Sequence, residues 1–140
     1  MRKILVIEDD PDIETALRMS LEANNYEVTA ACTCEDGLRM VKEIVPNLII
    51  LDVMTRTLAA GFRALLQLRS SHPRSEYAAY RHIPILMLTR LHDATFMRFY
   101  PYADSLSVDG VTGNPVEPDE LLDRVQSLIG SDGVSYGCSP

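Results

Sequence analysis

The chain has 140 residues, 46% of them hydrophobic and 24% charged, with a net charge of −7, which suits one globular domain with room for a sizeable core. Its longest basic cluster is Arg2-Lys3, so the positive footprint of a nucleic-acid groove is missing and direct nucleic-acid binding is not expected. No apolar run approaches the roughly 18 residues of a membrane span, and the four apolar residues after Arg2-Lys3 fall short of the roughly seven to fifteen of a secretion signal. A soluble cytoplasmic protein is expected.

Taken in chain order, short apolar runs alternate with helical spacing. The run Ile4 to Ile7 reads as a strand and ends on Glu8-Asp9-Asp10. Asp10-Pro11-Asp12 then opens a helix, with an N-cap and a proline in the first turn. Ile13, Leu17 and Leu21 line that helix at a spacing of four. A weaker strand spans Tyr26 to Ala31, and Leu38, Val41 and Val45 mark a second helix. Leu48 to Leu51 is apolar at every position and ends on Asp52. A third helix carries Phe62, Leu65, Leu66 and Arg69 on one face. The polar stretch from Ser70 to His82 exceeds the usual two to six residues of such a connection and reads as a helix extension or an insertion. Ile83 to Leu88 is the fourth strand and ends on Thr89. The segment "HDATFMRFYPYA" gives a fourth helix rich in aromatics (Phe96, Phe99, Tyr100, Tyr102), with Pro101 ending it. A faint fifth strand lies around Leu106 to Val111 and leads to Gly113-Asn114-Pro115. Pro118-Asp119-Glu120 starts the last helix, lined by Leu121, Leu122, Val125, Leu128 and Ile129.

Strand–helix alternation repeated five times argues for an α/β fold, a doubly wound five-stranded parallel sheet with helices on both faces. The fully apolar central runs fit strands covered on both sides. Residues 1–130 form the domain. The segment 131–140 shows no periodicity and is expected to be a flexible tail.

Three cysteines, Cys32, Cys34 and Cys138, fit neither a disulfide framework nor the usual zinc spacings and read as free thiols. His72, His82 and His92 are scattered and suggest no metal site. The chemistry gathers instead at the carboxyl ends of the strands, where open parallel sheets place their sites. Acids from the ends of strands one and three would repel by about 4 kcal/mol per pair at 4 Å and an effective dielectric near 20. Either one acid is protonated or a cation is bound. Carboxylates with a backbone carbonyl and waters suit Mg²⁺. A carboxylate nucleophile, metal-holding acids and the Thr89 hydroxyl make a coherent phosphoryl-transfer site.

Those positions carry a resemblance. "KILVIEDDPDIETALRMSLE", "PNLIILDVM", "IPILMLT" and "GNPVEPDELLDRV" together resemble the receiver domain of bacterial two-component response regulators, over about residues 2–130. The resemblance implies the flavodoxin-like (βα)5 receiver fold and a phosphoprotein of a two-component phosphorelay. Asp52 would be the phosphoacceptor, charged by a histidine kinase or phosphotransfer protein. Asp9, Asp10, Asp52 and the backbone carbonyl of Met54 would hold Mg²⁺, and Thr89 would hydrogen-bond the phosphoryl group and act as the switch. Output would run through protein contacts with an effector protein, a fused domain or a second copy.

The chain also departs from the family pattern. Asn114 stands where the family has a lysine, and Val111 where it often has an aromatic residue. The loop "VMTRTLAAG" lacks the usual proline-glycine pair and is one residue longer. Arg90 or Arg56 would be a substitute cation. The alternative reading is therefore a degenerate receiver that binds partners without phosphate. An enzyme is not expected beyond self-phosphorylation and autodephosphorylation. An aspartyl-nucleophile phosphatase would need a second acid two residues after Asp52, where Met54 stands, and no phosphate-cradling glycine motif occurs.

Overall fold

A computed structural model describes residues 1–53, 57–89, 108–113 and 116–130. The elements are β1 (Arg2–Ile7), α1 (Pro11–Glu22), β2 (Tyr26–Ala31), α2 (Cys34–Ile44), β3 (Leu48–Asp52), α3 (Leu58–Leu68), a 3-10 turn (Ala78–Tyr80), β4 (Ile85–Thr89), β5 (Gly110–Gly113) and α4 (Pro118–Ile129). All strand pairings are parallel, in the order β2-β1-β3-β4-β5. This is the doubly wound parallel sheet that the alternation predicts. The expected aromatic helix over 92–103 and the tail 131–140 lie outside the described residues.

Residue parity divides the core. In β1, β3 and β4 the residues Leu5, Ile7, Ile49, Leu51, Ile85 and Met87 face one layer, which includes Leu38 and Val41 of α2 and Ala64, Leu65 and Leu68 of α3. The intervening Ile4, Val6, Leu48, Ile50, Leu86 and Leu88 face the other, with Leu17 and Leu21 of α1 and Leu121 and Val125 of α4. Strands buried on both faces need apolar side chains at every position, which is why these runs do not alternate.

Capping follows the local chemistry. The Asp10 carboxylate accepts from the backbone N–H groups of Asp12 (2.9 Å) and Ile13 (3.4 Å), with Pro11 beginning the helix. The Thr33 and Thr57 hydroxyls cap α2 and α3 in the same way.

Several expectations are corrected. Val45 is not on the buried face of α2; it is half exposed and ends the helix at φ 46°. Leu66 is 58% exposed, because the buried stripe of α3 passes through Ala64, Leu65 and Leu68 instead. The last strand sits at Gly110–Gly113, later than the faint apolar run suggested. The stretch 70–82 is a loop around the 3-10 turn, not a helix extension, and it contributes Tyr77 to the core. Arg69, just past the end of α3, donates to the carbonyls of Arg81 (2.9 Å) and Ile83 (2.7 Å) and to the Asp109 carboxylate (2.9 Å). The same Asp109 oxygen accepts from the N–H of Ile85 (2.8 Å), so the start of β4 and the approach to β5 share one polar clamp.

Val45 offers a test of backbone strain. A β-branched residue at positive φ, and before Pro46, is held against its own preference. Val45→Gly should raise stability by about 0.5–1 kcal/mol, measured by urea denaturation, because the exposed valine side chain gives up little burial.

Candidate functional site

The site is a product of strand register. Parallel pairing sets Ile4 beside Leu48 and Ile7 beside Leu51. One step further along both strands stand Glu8 and Asp52. They share parity, so the pleat directs them to the same side. Glu8 is 2% exposed and Asp52 fully buried, while Asp9 is exposed. One carboxylate oxygen from each of Glu8, Asp9 and Asp52 lies within 4.8 Å of the other two. β1 and β3 also flank the point where the chain's winding reverses, between the β1-to-β2 step and the crossing to β3, which is where open α/β sheets form their binding crevice.

The expected acid set is therefore rearranged. Asp9 and Asp52 are brought together, as the sequence predicts. Asp10 is not in this group: its carboxylate is turned back to cap α1. Glu8 takes the third place, and its carboxylate also accepts from the Asp10 N–H (3.2 Å). The missed signal was present in the chain, since the runs Ile4–Ile7 and Leu48–Leu51 each end directly on an acid. Aligning those ends pairs Glu8 with Asp52.

Thr89 is buried as the last residue of β4, one position beyond Leu88, the partner of Asp52. Val111 is half-buried in β5 and packs against the α2/α3 layer. Met54, Arg56, Arg90 and Asn114 lie outside the described residues.

Three carboxylates this close, two of them buried, repel on the order of 3 kcal/mol per pair at an effective dielectric of 20. A small divalent cation suits them: Mg²⁺ takes oxygens at about 2.0–2.1 Å and is held by one or two carboxylates plus water or phosphate. Oxygens already within 4.8 Å of one another need only small side-chain rotations to meet such an ion. The donor set is all oxygen, as a hard cation prefers.

Two neighbours report on the environment. Burial pushes the Cys34 thiol up from its ordinary range, and the negative charges of Asp52 and then Asp9 push it further. Cys34 is thus a protonated, unreactive group beside the acids. Gly61 of α3 lies against the backbone just after Asp52. A Cβ there would meet the Val53 carbonyl oxygen at 2.1 Å, so only glycine lets α3 close onto the end of β3.

The family model for the response regulator receiver domain matches residues 4–126, and the chain belongs to that family. The DNA-binding dual master transcriptional regulator RpaA of Synechocystis is 34% identical over 129 residues, covering 92% of this chain and 49% of its own length. The chain spans about half the length, or less, of the curated relatives it matches. Among solved structures, the chemotaxis response regulator CheY4 of Vibrio cholerae superposes with a TM-score of 0.76 at 24% identity, covering 91% of this chain and 98% of its own. The receiver domain of the sensor histidine kinase PA1611 of Pseudomonas aeruginosa, solved with a magnesium ion in its active-site cleft, superposes at 0.70 with 20% identity, covering 93% and 98%. At that identity both structures speak for the fold. No helix among the described residues is long and apolar enough to cross a membrane.

The Gly61 contact predicts an inverted helix effect. Alanine normally stabilises a helix over glycine by about 1 kcal/mol. Gly61→Ala should instead destabilise this protein by about 1–3 kcal/mol, because the obstruction is backbone and cannot rotate away. Chemical denaturation measures the sign.

Proposed function

We propose that this receiver accepts a phosphoryl group on Asp52 from a phosphohistidine of a histidine kinase or phosphotransfer protein, and that its surface then signals through protein contacts. The observation that carries the reading is the convergence of Glu8, Asp9 and Asp52 at the rim between β1 and β3. Glu8, Asp9 and Asp52 would hold Mg²⁺, with the Met54 carbonyl as a further ligand; Asp10 keeps its role as a helix cap. When bound, the ion supplies positive charge to the phosphoryl oxygens and offsets the repulsion among the acids.

An Asp52 carboxylate oxygen forms the new bond to phosphorus. The bond from phosphorus to the donor imidazole nitrogen breaks, and the electron pair leaves with the ring. Burial of Asp52 at the strand end restricts access by water. The Thr89 hydroxyl, at the adjoining strand end, donates to a phosphoryl oxygen. Asn114 replaces the family lysine with a neutral amide, whose hydrogen bond is worth about half a charge-assisted one. The phosphorylated state is then less fully neutralised, with Arg90 or Arg56 the candidates to compensate.

Asn114 and Val111 also favour a second reading, a degenerate receiver that binds its partners without phosphate. One experiment separates the two. The chain is incubated with acetyl phosphate and Mg²⁺ and weighed intact. One added phosphoryl group is expected on the parent, none on Asp52→Ala, and a longer-lived adduct on Asn114→Lys. No adduct on either the parent or Asn114→Lys would leave the degenerate module as the better account.

A further inference from the structure

Away from the acids, the layer made by α2 and α3 carries a second surface feature. A cavity of about 520 Å³ lies between these helices. A second of about 480 Å³ lies between α3 and the loop 70–77. Arg63, Gln67 and Tyr77 line both, so the two adjoin. Glu35 lines only the first, and the second forms a groove between α3 and the loop. Tyr77, which is buried, lines this groove. Its outer wall carries Leu66, 58% exposed.

The groove is preformed. The loop that walls it is tied to α2, where Lys42 pairs with Glu76 and sits 4.8 Å over the Tyr77 ring, and the chain beyond it is held by Arg69, which donates to the carbonyls of Arg81 and Ile83. Little ordering remains to be done on binding, which favours affinity.

Its charge runs against that of the chain. On a protein of net charge −7, Arg63 and Arg74 both line the groove and are exposed. Neither guanidinium has an ion pair or hydrogen bond among the described residues, whereas Glu76 is already paired with Lys42. The groove thus offers two cations that pair with none of the described residues, beside an exposed leucine and the Tyr77 ring.

We propose that this groove is a docking site for an acidic peptide segment of a partner protein, with carboxylates meeting Arg63 and Arg74 and an apolar side chain meeting Leu66 and Tyr77. Charge complementarity favours that occupant. A nucleic-acid strand fits less well, since two cations make too short a phosphate track and an exposed leucine gains nothing from it. The surface is separate from the acid cluster, and the proposal does not rest on phosphorylation of Asp52.

The test uses a fluorescein-labelled peptide of alternating glutamate and leucine, a matching lysine–leucine peptide and a labelled single-stranded oligonucleotide. Binding is read by anisotropy, and the site by amide shifts of the ¹⁵N-labelled chain. The acidic peptide should bind and shift residues 63–77. The double variant Arg63→Glu, Arg74→Glu should weaken it at least about tenfold, with an unchanged thermal melt because neither arginine supports the fold. Leu66→Ser should weaken it without changing the charge. Asp52→Ala should leave it intact. The proposal is overturned by absent binding at the highest peptide concentration, by equal binding of the lysine peptide or by arginine-dependent capture of the oligonucleotide. It is equally overturned by shifts centred elsewhere, or by self-association that the charge reversal abolishes, since a second copy would then be the occupant.

Discussion

Mutual repulsion of carboxylates at the rim between β1 and β3 is the constraint around which the molecule is arranged. The sheet register forces it. Once Ile4 stands beside Leu48, the pleat delivers Glu8 and Asp52 to the same place, and Asp9 follows one residue later. A domain of this size is stable by only about 5–15 kcal/mol. Interactions of a few kcal/mol per acid pair are therefore a large share of the total. The same geometry gathers an all-oxygen donor set of the kind a hard cation prefers.

The surroundings keep that geometry rigid. The strands beneath are sealed on both faces by two apolar layers, so the acids cannot drift apart by moving backbone. α3 presses on the residue after Asp52, at a contact only glycine permits. α1 begins immediately beyond the acids, and Asp10 is committed to capping it. Cys34 contributes a neutral, protonated neighbour and so adds no further charge. A site held this way keeps its three carboxylates in one fixed arrangement.

Where burial alone decides conformation, the chain was readable. The runs Ile4–Ile7 and Leu48–Leu51 had to be strands covered on both sides, and alternation with helical spacing then implied the parallel sheet. Asp9 and Asp52 could be placed together from topology. Glu8 could be preferred to Asp10 only by aligning the ends of those two runs, because three consecutive acids offer no local distinction and one is claimed by the helix cap. Val45 and Leu66 fit a helical period yet lie outside the core, since one ends its helix in a left-handed turn and the other sits beside the true stripe. Tyr77 was invisible to periodicity because it reaches the core from a loop. The last strand is short and bounded by Gly110 and Gly113; Thr112 bonds to Glu120 at 2.8 Å, and its apolar content is too low to mark its position.

The most direct measurement of the central claim is the thermal stability of the chain with and without Mg²⁺, for the parent and for Asp9→Asn and Asp52→Asn. If the three acids gather round a divalent cation, Mg²⁺ should raise the parent midpoint by about 2 °C or more. Each substitution should raise the metal-free midpoint by relieving repulsion, and should remove most of the gain from the ion. A parent midpoint that ignores Mg²⁺, or a gain that survives both substitutions, would contradict the account.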